Sequence, residues 1–368
     1  MNAEKPKRKM APRKVKDPNG VVSTLRYRLK DASKLNLLDQ LARSINCVWN
    51  YCNETSFNAI RNHSKWLSAI DLKNLTSGSA KELAISSVTV QAICEEYVIR
   101  RMQFKKRKLR WRASSGSKKS LGWIPFKANS IQIRGDRAIY RGHEFRIWLS
   151  RPIDGRILTG SFSQDARGHW YVNLACEVAR IENKHQIEEV GIDLGLKTSA
   201  VLSDGSVIEN QAEFKKLEEK LGKAQRAKKK KQAKKIHAKI KNKRRDYLHK
   251  KTTQIAKKYH TIFIGDVSGK FVQSGNGKSS TDASIGVIRD LLKYKAMRHS
   301  GNCYEVSENS STVTCSSCHK KTGPSGLSGL GVREWTCSEC HAHHDRDINA
   351  AKNILRFGRE SLRATKVA

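Results

Sequence analysis

Acidic residues are scarce in this chain. Against 72 Lys and Arg there are only 34 Asp and Glu in 368 residues, a net charge of +38. An excess of that size does not specify a fold; it points to an anionic partner. Long apolar runs are also lacking, so no segment is expected to span a membrane. No signal-peptide pattern is present. Nucleic acid is therefore a better expected partner than a membrane surface. The expected compartment is the cytoplasm of a prokaryote, beside the nucleoid when DNA is bound. A disulfide framework is missing as well. Nine cysteines, an odd number without a secretion signal, argue for a reducing compartment. Five of them (Cys47, Cys52, Cys94, Cys176 and Cys303) are scattered among apolar residues and read as small core side chains.

Residues 1–20 form a Lys/Arg/Pro-rich stretch without apolar period, a disordered basic tail. Residues 21–30 alternate as a strand. From 33 the period becomes helical: Leu35, Leu38, Leu41, Ile45, Val48, Trp49 and Cys52 line one face, with Ser33 at the N-cap position. A second helix is predicted from about 87 to 111, with Val90, Ile93, Cys94, Tyr97 and Val98 inward. Its end carries Arg100, Arg101, Lys105, Lys106, Arg107, Lys108, Arg110 and Arg112 with no acids to balance them. That cluster reads as phosphate contact. After a Ser/Gly/Lys linker at 114–120, several short strands with close turns over 123–178 suggest a small barrel. Ile131–Arg134, Arg146–Leu149, Gly160–Ser163 and Trp170–Cys176 are its clearest strands. The strand at 21–30 can belong to it, which makes the helices an insertion.

A polar linker at 181–187 precedes Glu188-Glu-Val-Gly-Ile-Asp-Leu-Gly-Leu-Lys197. Val190, Gly191 and Ile192 form a buried strand that ends on Asp193, with a hairpin partner at 206–209. Residues 211–258 are the most basic stretch, with 20 Lys or Arg between 215 and 258. A sparse apolar stripe (Leu217, Leu221, Ile236, Ile240, Tyr247, Leu248, Ile255) predicts two helices buried on one narrow side. Lys228, Lys229, Lys230, Lys231, Lys234, Lys235, Lys241, Lys243, Arg244 and Arg245 are candidate nucleic-acid contacts, with Arg101, Lys105, Lys106, Arg107 and Arg110 from the earlier cluster. Strand 261–267, a Gly/Ser-rich loop at 268–281, a helix over 283–298 and a strand at 302–308 make a parallel crossover.

Cys315-Ser-Ser-Cys318 and Cys337-Ser-Glu-Cys340 are the strongest single motif. Two CxxC pairs 18 residues apart supply the four thiolates that a structural Zn²⁺ takes in a ribbon. His319, His341, His343 and His344 lie nearby and are expected to touch solvent or nucleic acid rather than metal. His344-Asp-Arg-Asp-Ile-Asn-Ala-Ala-Lys-Asn-Ile-Leu355 reads as a turn opening a helix, which puts Asp347 near the positive end of the helix dipole. An Asp ending one strand and an Asp opening a late helix suit an RNase H-like acid cluster. Such clusters hold two Mg²⁺ through hard oxygen ligands.

Gly191-Ile-Asp-Leu-Gly195, the Asn242–His249 helix, the two CxxC pairs and Asp345-Arg-Asp-Ile-Asn-Ala-Ala-Lys-Asn-Ile354 together resemble the TnpB family. These are transposon-encoded, RNA-guided DNA nucleases related to type V CRISPR effectors. The resemblance covers roughly 188–358. It implies an α/β multidomain chain with a wedge β-barrel (21–30 and 120–180) carrying a helical recognition lobe (31–119). An RNase H-like RuvC nuclease domain (186–312 and 342–358) would be interrupted by a zinc ribbon (313–341), with a tail at 359–368. It also implies a guide RNA from the element's end and a double-stranded DNA target with a flanking motif. A monomer on one RNA is expected.

One departure matters. The family's second acid is typically a Glu where this chain has Gly265. Asp266 is adjacent, but successive strand side chains face opposite ways. On the neighbouring strand Tyr304, Val306 and Glu308 share a face, and parallel strands lie about 4.8 Å apart. Glu308 is therefore the expected second carboxylate beside Asp193 and Asp347, with Asp266 and Asp345 as alternatives. The expected activity is RNA-guided, Mg²⁺-dependent DNA hydrolysis. Rival readings are an RNA-guided DNA-binding repressor without cleavage, a compact type V CRISPR effector, and an unguided zinc-ribbon DNA-binding protein.

Overall fold

Among the described residues two large apolar clusters and a small one in the ribbon divide the chain, and the candidate site belongs to the second. The computed structural model describes residues 20–30, 34–184, 187–266, 284–326 and 328–367. Residues 1–19 of the expected tail, the Ser33 cap and the 268–281 loop lie outside the described residues.

The first cluster joins β-strands to helices. Strands β1 (Val21–Arg28), β2 (Trp123–Lys127), β6 (Arg156–Gln164) and β7 (Trp170–Val178) form an antiparallel sheet in the order β1-β7-β6-β2. Trp170, Val172, Leu174 and Cys176 of β7 are all buried, as a period of two requires. A meander of β3 (Ile131–Arg134), β4 (Arg137–Tyr140) and β5 (His143–Arg146) is bridged to β1's end through Leu29 and Ile147. The predicted strand at 146–149 thus sits earlier, at 143–146.

Between β1 and β2 lie α1 (Leu35–His63), α2 (Ala69–Leu75), α3 (Ser79–Glu82) and α4 (Ser87–Phe104). Helix α1 runs eleven residues past the last position of its predicted stripe. Helix α4 stops at Phe104, short of the predicted 111, where Lys105 turns left-handed at φ 50°. Residues 109–114 instead run extended beside α1, held by three of its asparagines. Asn53 and Leu109 exchange two bonds, Nδ2 to O and N to Oδ1, both at 2.9 Å. Asn50 and Arg112 do the same at 2.9 and 2.8 Å. Asn46 accepts from Arg112 Nε at 2.7 Å and donates to Ser114 Oγ at 3.2 Å. All three asparagines are buried, and such pairing satisfies groups that water cannot reach.

The second cluster is built on a five-stranded sheet in the order β10-β9-β8-β11-β12. Its members are β8 (Ile187–Asp193), β9 (Thr198–Leu202), β10 (Val207–Glu209), β11 (Tyr259–Gly265) and β12 (Asn302–Val306). β10, β9 and β8 pair antiparallel, whereas β8, β11 and β12 are parallel. The connection from β9 and β10 back to β11 consists of α5 (Glu213–Arg226) and α6 (Lys230–Lys258). Helix α7 (Ile285–Arg298) connects β11 to β12. The predicted strand at 302–308 ends at Val306, so Glu308 lies two residues past it.

A small ribbon follows, with β13 (Glu334–Thr336) paired to β14 (His343–Asp345). β14 leads directly into α8 (Arg346–Val367), which crosses β8, β9, β11 and β12. The expected tail at 359–368 is therefore largely the continuation of this helix. Helix α8 presses close to the sheet. A Cβ on Gly191 would meet Ala351 O at 2.1 Å, and one on Gly358 would meet the Phe263 ring at 2.1 Å. Absent side chains at these two points let the helix lie on the strands. Among the described residues no helix is long and apolar enough to cross a membrane.

Candidate active site

Strand β8 delivers Asp193 on the face that α8 covers, two residues beyond Gly191. Ile264 pairs with Ile192, and Gly265 pairs with Val306. Asp193, Gly265 and Val306 thus stand in one row across three parallel strands. Helix α8 brings Asp347 in its first turn, where the helix dipole favours a carboxylate. Asp193, Glu308 and Asp347 line one cavity of about 400 Å³ with Arg333 and Arg346.

The Glu308 carboxylate occupies the space that a side chain at 265 would enter. A Cβ built on Gly265 would lie 3.1 Å from Glu308 Oε2 and 3.2 Å from Ile354 Cδ1. The chain from Val306 to Glu308 is fixed by Asp266, whose N–H donates to Val306 O at 2.9 Å. The Asp266 carboxylate accepts the Glu308 N–H at 3.1 Å. Asp266 is exposed and does not line the cavity. Asp345 is occupied as well: its Oδ1 accepts the N–H groups of Asp347 (2.9 Å) and Ile348 (2.8 Å), the N-cap of α8. Asp345 thus caps the helix, and Asp347 faces the cavity.

Charge is crowded here. Burial raises the Asp193 carboxyl to about 8, and the negative charges of Glu308 and Asp347 push the same way. Burial also raises Glu308, with Asp266 adding to it. Arg333 Nη1 lies 3.3 Å from both Asp347 oxygens and is the cation in direct contact with that acid. Arg333 arrives from the ribbon, one residue before β13, and its carbonyl accepts the Arg346 N–H at 2.7 Å. Sequence reasoning missed Arg333, because only the β13–β14 pairing brings it to the start of α8.

It also missed two asparagines on α8. Buried Asn349 and Asn353 both donate through Nδ2 to Ser311 O and Thr314 O, at 2.6 to 3.3 Å. Ser316 N–H donates back to Asn349 Oδ1 at 2.8 Å. They tie the loop after Glu308 to the helix that carries Asp347. Polar residues at i and i+4 among alanines were the available signal.

The four ribbon cysteines have their sulfurs within 4.8 Å of one another. Cys315 and Cys340 lie 3.6 Å apart, as do Cys318 and Cys337. Four thiolates at about 2.3 Å around one tetrahedral ion stand about 3.8 Å apart. The cluster is consistent with a structural zinc. His319 and His341 each follow a CxxC pair at positive φ, 66° and 60°. His344, expected at the surface, is buried, with Nε2 3.1 Å from Cys315 Sγ and its ring 4.8 Å from that of Trp335.

The basic candidates divide. Lys105, Lys106, Arg107 and Arg110 are exposed, as are Lys228, Lys229, Lys230, Lys231, Lys234, Lys235, Lys241, Lys243 and Arg245. Lys231, Lys234 and Lys235 face Lys119 and Arg167 across a further cavity. Lys243 is 3.4 Å from Glu213 Oε2. Arg244 is half-buried and has partners of its own. Arg101 is a correction: it is 3% exposed, donating to Leu67 O at 2.6 Å and to Ser56 Oγ, beside the Trp66 and Tyr97 rings. Its place on the inward face of α4 outweighs its charge. Among the scattered cysteines, Cys52, Cys94 and Cys176 are buried and Cys303 is half-buried, but Cys47 is exposed on α1.

Known proteins resemble parts of this chain. Residues 173–270 match a family described as "Probable transposase" (OrfB of IS605), and residues 286–354 match the "Cas12f1-like, TNB domain". In these two segments the chain is similar to OrfB of IS605 and to Cas12f1-like proteins. It is 34% identical over 227 residues to a "Putative RNA-guided DNA endonuclease" of Streptomyces pristinaespiralis, covering 57% of this chain and 55% of that one. It is 30% identical over 243 residues to "Putative RNA-guided DNA endonuclease InsQ" of Escherichia coli K12, covering 58% and 60%. The alignments thus span little more than half the length of these relatives. The fold also matches the cryo-EM structure of a Cas12f1–sgRNA–target DNA complex. The TM-score is 0.57 at 11% identity, over 91% of this chain and 99% of that one.

Proposed function

We propose that this chain is a guide-RNA-directed, Mg²⁺-dependent double-stranded DNA endonuclease of a transposable element. The observation that carries the reading is the Glu308 carboxylate over Gly265, in one cavity with Asp193 and Asp347. The sheet, antiparallel on one side of β8 and parallel on the other with α8 across it, supports an RNase H-like RuvC domain over 186–312 and 342–358. The strands of the first cluster then form the wedge, α1 to α4 the recognition lobe, and 313–341 the ribbon.

The donor set fits Mg²⁺. Three carboxylates offer hard oxygen ligands, and burial, reinforced by the negative charges of Glu308 and Asp347, keeps Asp193 protonated until a cation neutralises the site. Asp193, Glu308 and Asp347 would hold the ions, which supply charge neutralisation at the phosphate and a more acidic water. Arg333 adds a fixed positive charge at the rim. The reaction adds one water to a phosphodiester: a P–O bond forms to the water oxygen, and the 3′ oxygen leaves with a proton. The names and structures of the relatives support a guide RNA and a DNA target as partners. The exposed lysines of α6 would grip the duplex by its backbone while base pairing reads the sequence.

The test is cleavage of a plasmid carrying the guide match and flanking motif, by the protein purified with its own RNA, with and without Mg²⁺. Cutting that requires all three is expected. Guided binding without cutting would replace the nuclease with a DNA-binding repressor. DNA binding without any bound RNA would leave an unguided ribbon protein.

A further inference from the structure

We infer a platform for an unpaired nucleobase of a single DNA strand, at the junction of α4, the 109–114 segment and β2. The choice of DNA rests on the guided-nuclease reading. A cavity of about 670 Å³ opens there. Phe104, Trp111 and Leu121 border it and are 57%, 53% and 52% exposed, with half-buried Trp123 behind them. Large apolar side chains grouped at a cavity mark a binding surface more often than a stray exposure.

The platform is built, not loose. The buried Asn46, Asn50 and Asn53 of α1 hold the segment by its backbone at Leu109 and Arg112 and by the Ser114 hydroxyl. Arg112 is anchored inward, between the Trp49 and Trp123 rings at 5.7 and 5.5 Å, and donates to Leu121 O at 2.9 Å. Between these fixed points Arg110 and Trp111 are presented outward. A rigid aromatic face loses little freedom when a base stacks on it.

Charge names the partner. Lys106, Arg110, Lys118 and Lys119 are exposed around the cavity. Among the described lining residues Glu96 is the one carboxylate, and Arg100 Nε already holds it at 2.6 Å. Aromatic faces ringed by unbalanced cations suit bases and the phosphates that flank them. Telling RNA from DNA requires a partner for the 2′-hydroxyl. Glu96, held by Arg100, is no acceptor for it, and Ser120 is the neutral hydroxyl in the lining; the choice of DNA comes from the nuclease reading. A guided nuclease that opens a duplex must hold a displaced DNA strand, and this platform fits that strand.

The test uses the full chain with its co-purified RNA and a 12-residue oligo-dT carrying 5-iododeoxyuridine. Photocrosslinking followed by mass spectrometry should place the link at Trp111 or Phe104. Trp111→Ala should remove the Trp111 link and raise the oligo-dT Kd by roughly 5- to 10-fold; Trp111→Phe should keep affinity within about twofold. Crosslinks confined to α6, or unchanged affinity in Trp111→Ala, would overturn the platform. Preferential linking of an iodouridine oligo-U at the same residues would overturn the assignment to DNA. A wild-type protein that links oligo-dT at Trp111 yet never cuts guided plasmid would refute the nuclease reading and leave the platform standing.

Discussion

Moving the Glu308 carboxylate back to position 265 is the sharpest test of the acid site. The two positions compete for one space: a Cβ on Gly265 lies 3.1 Å from Glu308 Oε2 and 3.6 Å from Glu308 Cβ. Gly265 is not among the glycines with positive φ, so the backbone there accepts a side chain. Glu308→Ala removes one of three carboxylates from the cavity. A lost metal ligand of this kind is worth at least about 3 kcal/mol at the transition state, or about 100-fold in rate. It also frees the space beyond Cβ. Adding Gly265→Glu to Glu308→Ala then supplies a carboxylate from the row that Asp193 occupies. The double variant is expected to recover at least 10-fold of the lost rate. Gly265→Glu alone should be impaired, because Glu308 and Ile354 Cδ1 must both move by a few tenths of an ångström. The assay is single-turnover cutting of guided plasmid in Mg²⁺, with guide RNA and target binding measured in parallel. Wild-type cutting by Glu308→Ala would end the assignment. So would a folded, target-bound double variant that cuts no faster than Glu308→Ala.

Four further outcomes are expected. Folded Asp193 keeps its proton up to about pH 8, whereas an unfolded Asp loses it near pH 4. The folded state therefore holds more protons in that window, and stability without Mg²⁺ falls as pH rises through it. Asp193→Asn should flatten the melting curve against pH and gain about 2–4 kcal/mol at pH 8; no difference from wild type in EDTA would refute the raised Asp193 carboxyl. Removing zinc should melt the ribbon and, because β14 runs straight into α8, also stop cutting in excess Mg²⁺; circular dichroism and cutting should be lost together. Replacing Lys231, Lys234 and Lys235 with Gln should lower the salt slope of nucleic-acid binding by about 2 to 3. Arg101→Ala should cost about 1–3 kcal/mol in stability by leaving the buried Ser56 and Leu67 acceptors unpaired, with the salt slope unchanged.

Signals that are local were legible in the residues. The two CxxC pairs, the buried strand before Asp193 and the parallel crossover from β11 to β12 were read from spacing and alternation. Alternation also put Glu308 on the face of Val306, although the strand itself ends at Val306. What escaped depends on partners distant in the chain. The 105–112 segment carries a basic pattern that extends a helix on paper, but Lys105 turns left-handed and buried asparagines on α1 pair with the backbone of Leu109 and Arg112. Arg101 sits in a run of cations, and only its register on α4 makes it internal. Asp345 and Asp347 are indistinguishable by type; the direction in which α8 leaves β14 makes one a cap and the other a cavity acid.

Under the proposed assignment, the second acid sits on a different strand without disturbing the site. Asp193 comes from β8, Glu308 from the loop after β12, and Asp347 from α8. None is near another in sequence. Helix α8 is common to all three. It rests on β8 through Gly191, carries Asp347 itself, and holds the 311–316 loop through Asn349 and Asn353. That loop begins three residues after Glu308 and contains Cys315 and the start of the ribbon. The ribbon returns Arg333 to Asp347. The proposed move of a carboxylate from β11 to the β12 loop is compatible with this packing, because both are set against the same helix, about one strand spacing apart. The helix, rather than any one strand, fixes where the acids meet.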